Sequence, residues 1–189
     1  MYAEVRASAD PRQAHAHWRT ARDELFAGHP QSPLSGERRA AFTGLPVAAY
    51  DPSFRFVCTL EPAEHDHRDV PTGTDGVVAF DRVGRVALGD LGALDVWSIN
   101  GYGGGLFVPL RDSTAGATSY GGGRYVIDTR KGADLGGDAA DGALVVDLNF
   151  AYHPSCAYDP AWACPLAPPG NVLSVPANVG EQLPPGGWY

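Results

Sequence analysis

Cysteine, methionine and lysine are all scarce in this chain of 189 residues: three cysteines, one methionine and a single lysine, Lys131. Three cysteines, an odd number, argue against a disulfide framework and for a reducing compartment. No run of lysine and arginine occurs, and the formal net charge is −8 with a pI near 5.1. Nucleic-acid binders usually carry a basic face, so this balance points away from a nucleic-acid partner and toward a solvated acidic surface. No apolar run nears the ~20 residues that span a bilayer, which points away from a membrane partner. The N-terminus, Met1-Tyr-Ala-Glu-Val-Arg6, lacks the basic-then-apolar pattern of a secretory signal, so a cytoplasmic location is expected. Internal repeats, phosphate-loop spacing and cofactor fingerprints are also missing.

Turn residues, by contrast, are plentiful. Gly (24) and Pro (16) make up about a fifth of the chain, which favours many short elements over long helices. The length suits one domain, with a helical N-terminal segment over 9–45, a β core over 52–180 and a poorly ordered tail over 181–189. The clearest helix is expected over 9–27. Asp10 serves as N-cap, Pro11 takes the first turn, and Ala14, Trp18, Ala21, Leu25 and Phe26 recur at helical spacing. A second short helix is expected from Ser35 toward Phe42.

From Pro52 onward the pattern changes to short apolar or alternating runs. Strands are expected over 54–60, 76–80, 85–88, 93–99, 106–110, 124–129, 144–150 and 172–177. Asp81-Arg-Val-Gly84 and Gly89-Asp-Leu-Gly92 have the composition of hairpin turns. The fold class is therefore mainly β (α+β by content). It is expected to be an antiparallel β-sandwich or partly open barrel of about eight short strands, with one or two N-terminal helices. The stretches 61–73 and 131–142 read as polar loops.

Polar side chains concentrate among glycines in two places. The first is Pro109-Leu-Arg-Asp112 with Tyr120-Gly-Gly-Gly-Arg124-Tyr125; the second is Asp147-Leu-Asn-Phe-Ala-Tyr152. Arg111 and Arg124 flank one loop and offer guanidinium forks that suit a carboxylate or phosphate. Gly121, Gly122 and Gly123 would let backbone N–H groups approach the same anion. Asp147 and Asn149, two apart, are expected on one face of a strand. A pocket for a small anionic ligand follows, with Arg111, Asp112, Arg124 and Asn149 as binding residues and Asp147 and Tyr120 as groups able to move a proton. The same residues equally suit an internal network in which the arginines pair with Asp112 and Asp147 and the glycines only permit unusual backbone angles.

Other features carry weaker chemistry. Cys156 and Cys164 lack the paired spacing of a zinc site, so no metal site is expected, and buried thiols are the simpler reading. His65, Asp66 and His67 read as solvated loop residues. Tyr102 to Gly105 read as a bulge or bend, and Trp97 and Trp162 as core or rim aromatics. With no recognised triad or metal set, an enzyme such as a small-molecule hydrolase and a non-catalytic binder fit the residues about equally.

These motifs carry a likeness. Ser32-Pro-Leu34, Phe42-Thr-Gly-Leu45, Pro109-Leu-Arg-Asp112, Tyr120-Gly-Gly-Gly-Arg-Tyr125, Asp147-Leu-Asn-Phe-Ala-Tyr152, Pro154-Ser-Cys-Ala-Tyr158 and Cys164-Pro-Leu166, with Asn171 and Gly180-Glu181, resemble the prokaryotic family called domain of unknown function 1684. The resemblance runs from about Trp18 to Glu181 and implies no particular activity. His153 stands where the family pattern more often has Asn, so a role for His153 is not implied by it.

Overall fold

The N-terminal helices form where capping chemistry and an apolar stripe coincide. In the computed structural model, which describes residues 1–71, 76–100, 104–137 and 142–188, Asp10 accepts a hydrogen bond from the Arg12 amide, and Pro11 opens helix α2 (Pro11–Gly28). A short helix α1 (Tyr2–Ala7) precedes it, one the sequence pattern did not suggest because six residues show too little periodicity. Helix α3 (Gly36–Ala40) follows Ser35, whose side chain makes no capping bond.

Seven strands among the described residues form two antiparallel sheets with no closed barrel, in keeping with the mainly β expectation. Strands β2 (His67–Pro71), β3 (Val77–Ala87), β4 (Ala93–Asn100), β5 (Leu106–Leu110) and β6 (Arg124–Asp128) pair in chain order as a meander. Strands β1 (Arg55–Thr59) and β7 (Ala143–Asp147) pair as a second, two-stranded sheet. The larger sheet buries both faces. Leu94 and Val96 of β4 point into a core shared with Cys58 of β1, Val146 of β7, Leu173 and Val179. Trp97 and Ile99, of opposite parity, point to a second core with Tyr2, Trp18 and Phe150. Phe26 and Tyr158 centre a third, smaller cluster near the end of α2.

Several sequence expectations need correction. Residues 81–84 are not a hairpin turn but part of one eleven-residue strand, β3, broken by a bulge between Arg82 and Gly84. The extra residue flips the strand's parity, so Val78 and Phe80 serve one core while Val86 serves the other. Gly84 is needed there for closeness, since a Cβ would lie 2.6 Å from the Glu61 carbonyl oxygen. The polar run beginning at His67 is a strand after all; it lies at the sheet edge, where charged residues are tolerated.

The strand expected over 144–150 ends at Asp147, and Leu148–Phe150 turns as a 3-10 helix. The strand expected over 172–177 makes only one bridge, Val172 to Arg111, because the Ala177 and Val179 carbonyls turn toward Arg124 instead. At the start of the C-terminal segment Glu181 is fully buried, and the Gln182 and Leu183 amides bond to the Pro46 and Thr118 carbonyls. Tyr102 and Gly103 lie outside the described residues. Gly104 and Gly105 lead into β5. Among the described residues no helix is long and apolar enough to cross a membrane.

Candidate functional site

Arg124 begins β6 deep in the protein, and its guanidinium is fully engaged. It pairs with Asp112 and donates to the backbone carbonyls of Val179, Glu181 and Ala177. Burial lowers the guanidinium's pKa, and the neighbouring Asp112 carboxylate opposes that fall. The other Asp112 oxygen accepts from the Thr114 amide at 2.7 Å and from the Thr114 hydroxyl, which in turn contacts Ser119 at 2.8 Å. Gly123 has φ +95°, and a Cβ there would stand 2.5 Å from the Leu110 carbonyl oxygen, so its role is backbone geometry. This network fastens the 110–124 loop to the 177–181 segment.

Asp147 and Asn149 form a second, separate network. They do not share a strand face: Asp147 caps the 3-10 turn, and one of its oxygens accepts from the Asn149 amide (3.0 Å) and side chain (2.7 Å). Its other oxygen accepts from Tyr50 and Arg55, both at 3.2 Å. The Asn149 side chain exchanges two 2.8 Å bonds with the Asp51 backbone, and the Asn149 backbone carbonyl accepts from His15 Nε2 at 3.0 Å. Burial, then the Asp147 charge, push the Tyr50 phenol up to about 12, so it stays a donor. Burial likewise holds His15 below the usual histidine value. Arg111 is exposed, with its backbone bridged to Asn171 and Leu173. The six residues singled out in the sequence therefore do not converge on one cavity.

A third cluster lies at the end of α2, on residues the sequence pattern did not single out. Arg22 follows Trp18 by four residues and precedes Phe26 by four, so it sits on the buried stripe of α2 rather than on its flank. It pairs with the fully buried Glu181 at 2.6 Å and lies over the rings of Trp18, Phe26 and Tyr152. Burial opposes ionisation of Glu181, yet Arg22 and His153 outweigh it and hold the carboxyl below its ordinary value. The second Glu181 oxygen lies 3.6 Å from His153 Nδ1, and the His153 amide donates to the first at 3.2 Å. His153 Nε2 accepts the Tyr120 amide at 3.1 Å, which fixes the ring proton on Nδ1. An arginine at a stripe position was the signal for this cluster.

Beside it is a cavity of about 210 Å³ lined by Arg22, Phe26, Tyr152, His153, Tyr158 and Lys131, among others. Arg22 Nε and the Tyr158 hydroxyl are buried without hydrogen-bond partners, while His153 Nδ1 faces the second Glu181 oxygen. A second cavity, of about 270 Å³, opens on the larger sheet between Phe80, Phe107, Tyr125 and Lys131. Tyr120 sits edge-on to the His153 ring and hydrogen-bonds Cys156. His65 and His67 approach Asp81 at 3.6 and 2.7 Å, and His67 belongs to β2 rather than to a loop. Trp97 is fully buried and donates to Asn171 at 2.8 Å, while Trp162 is exposed. Among the described residues no three His, Cys, Asp or Glu side chains group to hold a metal ion.

A solution NMR structure of the uncharacterised protein from gene locus rrnAC0354 of Haloarcula marismortui is similar. It is 31% identical, with 90% of this chain and 92% of that one covered and a TM-score of 0.62. No curated protein matches the chain. The family described as "Protein of unknown function (DUF1684)" matches residues 40–182, a stretch that holds Asp112, Arg124, Asp147, Asn149, His153 and Glu181 but begins after Arg22. Since that match covers most of its length, the chain belongs to the DUF1684 family.

Proposed function

We propose that this protein is a small-ligand binder whose site is the cavity beside α2, and that the ligand carries a carboxylate or phosphate. One observation carries the reading: Arg22 Nε and the Tyr158 hydroxyl, on two residues lining one cavity, are both buried without partners. Buried donors cost free energy until an acceptor reaches them, and an anion with several oxygens satisfies more than one at once. Lys131, also on the lining, adds positive charge. The net charge of −8 turns the same reading away from nucleic acid, and free thiols suit a cytoplasmic setting.

Binding is favoured over hydrolysis at this site for a geometric reason. The lone pair of His153 Nε2 is spent on the Tyr120 amide, so the ring has no free position for a general base. The networks of Arg124 and of Asp147 belong to the scaffold in this reading, since both are saturated by protein groups.

The test is thermal unfolding of the protein against a panel of small carboxylates and phosphates. A ligand at ~100 times its Kd adds about 2.7 kcal/mol, a rise of roughly 5–10 °C for a chain this size. Tyr158→Phe keeps the ring, removes the orphan hydroxyl, and is expected to abolish or strongly reduce the shift while leaving the unliganded melting point unchanged or higher. No shift with any member of the panel, or an equal shift in Tyr158→Phe, overturns the reading.

A further inference from the structure

We infer that Cys164 and Cys156 form a redox-active dithiol that reduces small hydroperoxides, with Cys164 as the attacking sulfur and Cys156 as the resolving one. The site adjoins the proposed ligand cavity through Lys131 and Ser155 but stands whether or not that cavity binds anything.

The geometry distinguishes the two sulfurs. The Cys156 thiol donates a hydrogen bond to the Cys164 sulfur, which sets the two sulfurs side by side. Cys164 is half-buried on a segment whose preceding residues, Pro160 to Ala163, are exposed, whereas Cys156 is buried in the 3-10 turn Ser155–Ala157. The Cys164 sulfur also accepts from the backbone amides of Ser155 and Cys156 and feels the Lys131 ammonium. Cys156 accepts from Tyr120, but the hydrogen bond it donates to Cys164, then burial, keep it a thiol, well above the usual value. Donors and a cation gathered on one reachable sulfur are the surroundings of a reactive thiolate. The third cysteine, Cys58, differs: it is buried against the apolar core, its thiol donates to the Ala87 carbonyl, and burial raises its pKa.

A sulfur so closely ringed favours a small oxidant over another protein's disulfide. The Cys164 thiolate attacks the terminal oxygen of ROOH, the O–O bond breaks, and RO⁻ takes a proton from water to leave as ROH. Cys164 is then a sulfenic acid. The Cys156 sulfur displaces its hydroxyl, which leaves as water with the Cys156 proton, and a Cys156–Cys164 disulfide remains. Two electrons pass from the two thiols to the peroxide.

Rate alone does not identify the site. The hydrogen bond from Cys156 and the neighbouring donors hold Cys164 below the usual thiol value, which raises its thiolate fraction at pH 7. The lower basicity also costs intrinsic nucleophilicity, so the net gain in rate is small. Stoichiometry and selectivity decide. One equivalent of hydrogen peroxide added to the full chain at pH 7 is expected to lower the intact mass by about 2 Da. It should also remove two of the three titratable thiols and give a Cys156–Cys164 linked peptide. Cys156→Ser should stop at a sulfenic acid on Cys164 that dimedone traps, and Cys164→Ser should lose no thiol on that timescale. Iodoacetamide should label Cys164 first in the native chain, with a pH midpoint below that of an ordinary thiol. Three thiols that survive peroxide, a disulfide through Cys58, or first labelling at Cys58 or Cys156 overturns the inference.

Discussion

Arg124 has every neighbour it needs within the protein. Its positive charge is taken out of water, so it must meet a full negative charge and enough acceptors for its N–H groups, and Asp112 with three backbone carbonyls supplies them. Such a pair adds little net stability compared with an apolar one, but losing one partner leaves a bare buried charge. Asp112→Ala is therefore expected to destabilise the protein by about 3–5 kcal/mol in urea unfolding. A loss below about 1 kcal/mol would show that the Arg124 charge escapes to solvent. At Arg22 the outcome differs, because Glu181 satisfies one nitrogen and leaves Nε without a partner. That contrast is why one buried arginine reads as scaffold and the other as part of a site.

At the scale of elements, α2 and β3 show how local chemistry sets what each can carry. Asp10 bonds the first turn of α2, whereas Ser35 at the start of α3 makes no such bond. Asp10→Ala should cost about 1 kcal/mol in a chemical melt, and Ser35→Ala less than about 0.5 kcal/mol. Equal losses in the two variants would remove the capping account. Because α2 carries Arg22, Asp10→Ala should also weaken any ligand-dependent thermal shift. In β3 the bulge before Gly84 lets one strand supply Phe80 to one core and Val86 to the other.

Across the whole molecule, acid sensitivity follows from buried carboxylates. Glu181 ionises more readily in the folded chain than its ordinary value near 4.5, through Arg22 and His153 acting against burial. A group whose folded pKa is depressed binds fewer protons folded than unfolded, so its stabilisation is complete above the unfolded pKa. That stabilisation is lost as pH falls through the folded pKa. Stability measured between about pH 5 and 2 should therefore fall with pH, and Glu181→Gln should flatten this limb while lowering stability at pH 7 by about 3–5 kcal/mol. An unchanged acid limb in Glu181→Gln would show that Glu181 is not the group responsible.

The sequence by itself determined the features that depend on near neighbours. Asp10 and Pro11 start α2, the alternating runs become antiparallel strands, and the quoted motifs place the chain in its family. Only tertiary structure decided which polar groups meet. Asp112 lies 12 residues from Arg124, but Arg22 and Glu181 are separated by 159 and Asp51 and Asn149 by 98, distances over which spacing carries no pairing information. The turn expected over 81–84 was misread because Gly84 answers to the distant Glu61 carbonyl, not to its own flanks. For the same reason the expected pocket divided into two saturated networks, and the unpartnered donors appeared around Arg22, on a stripe that local pattern assigns to apolar packing.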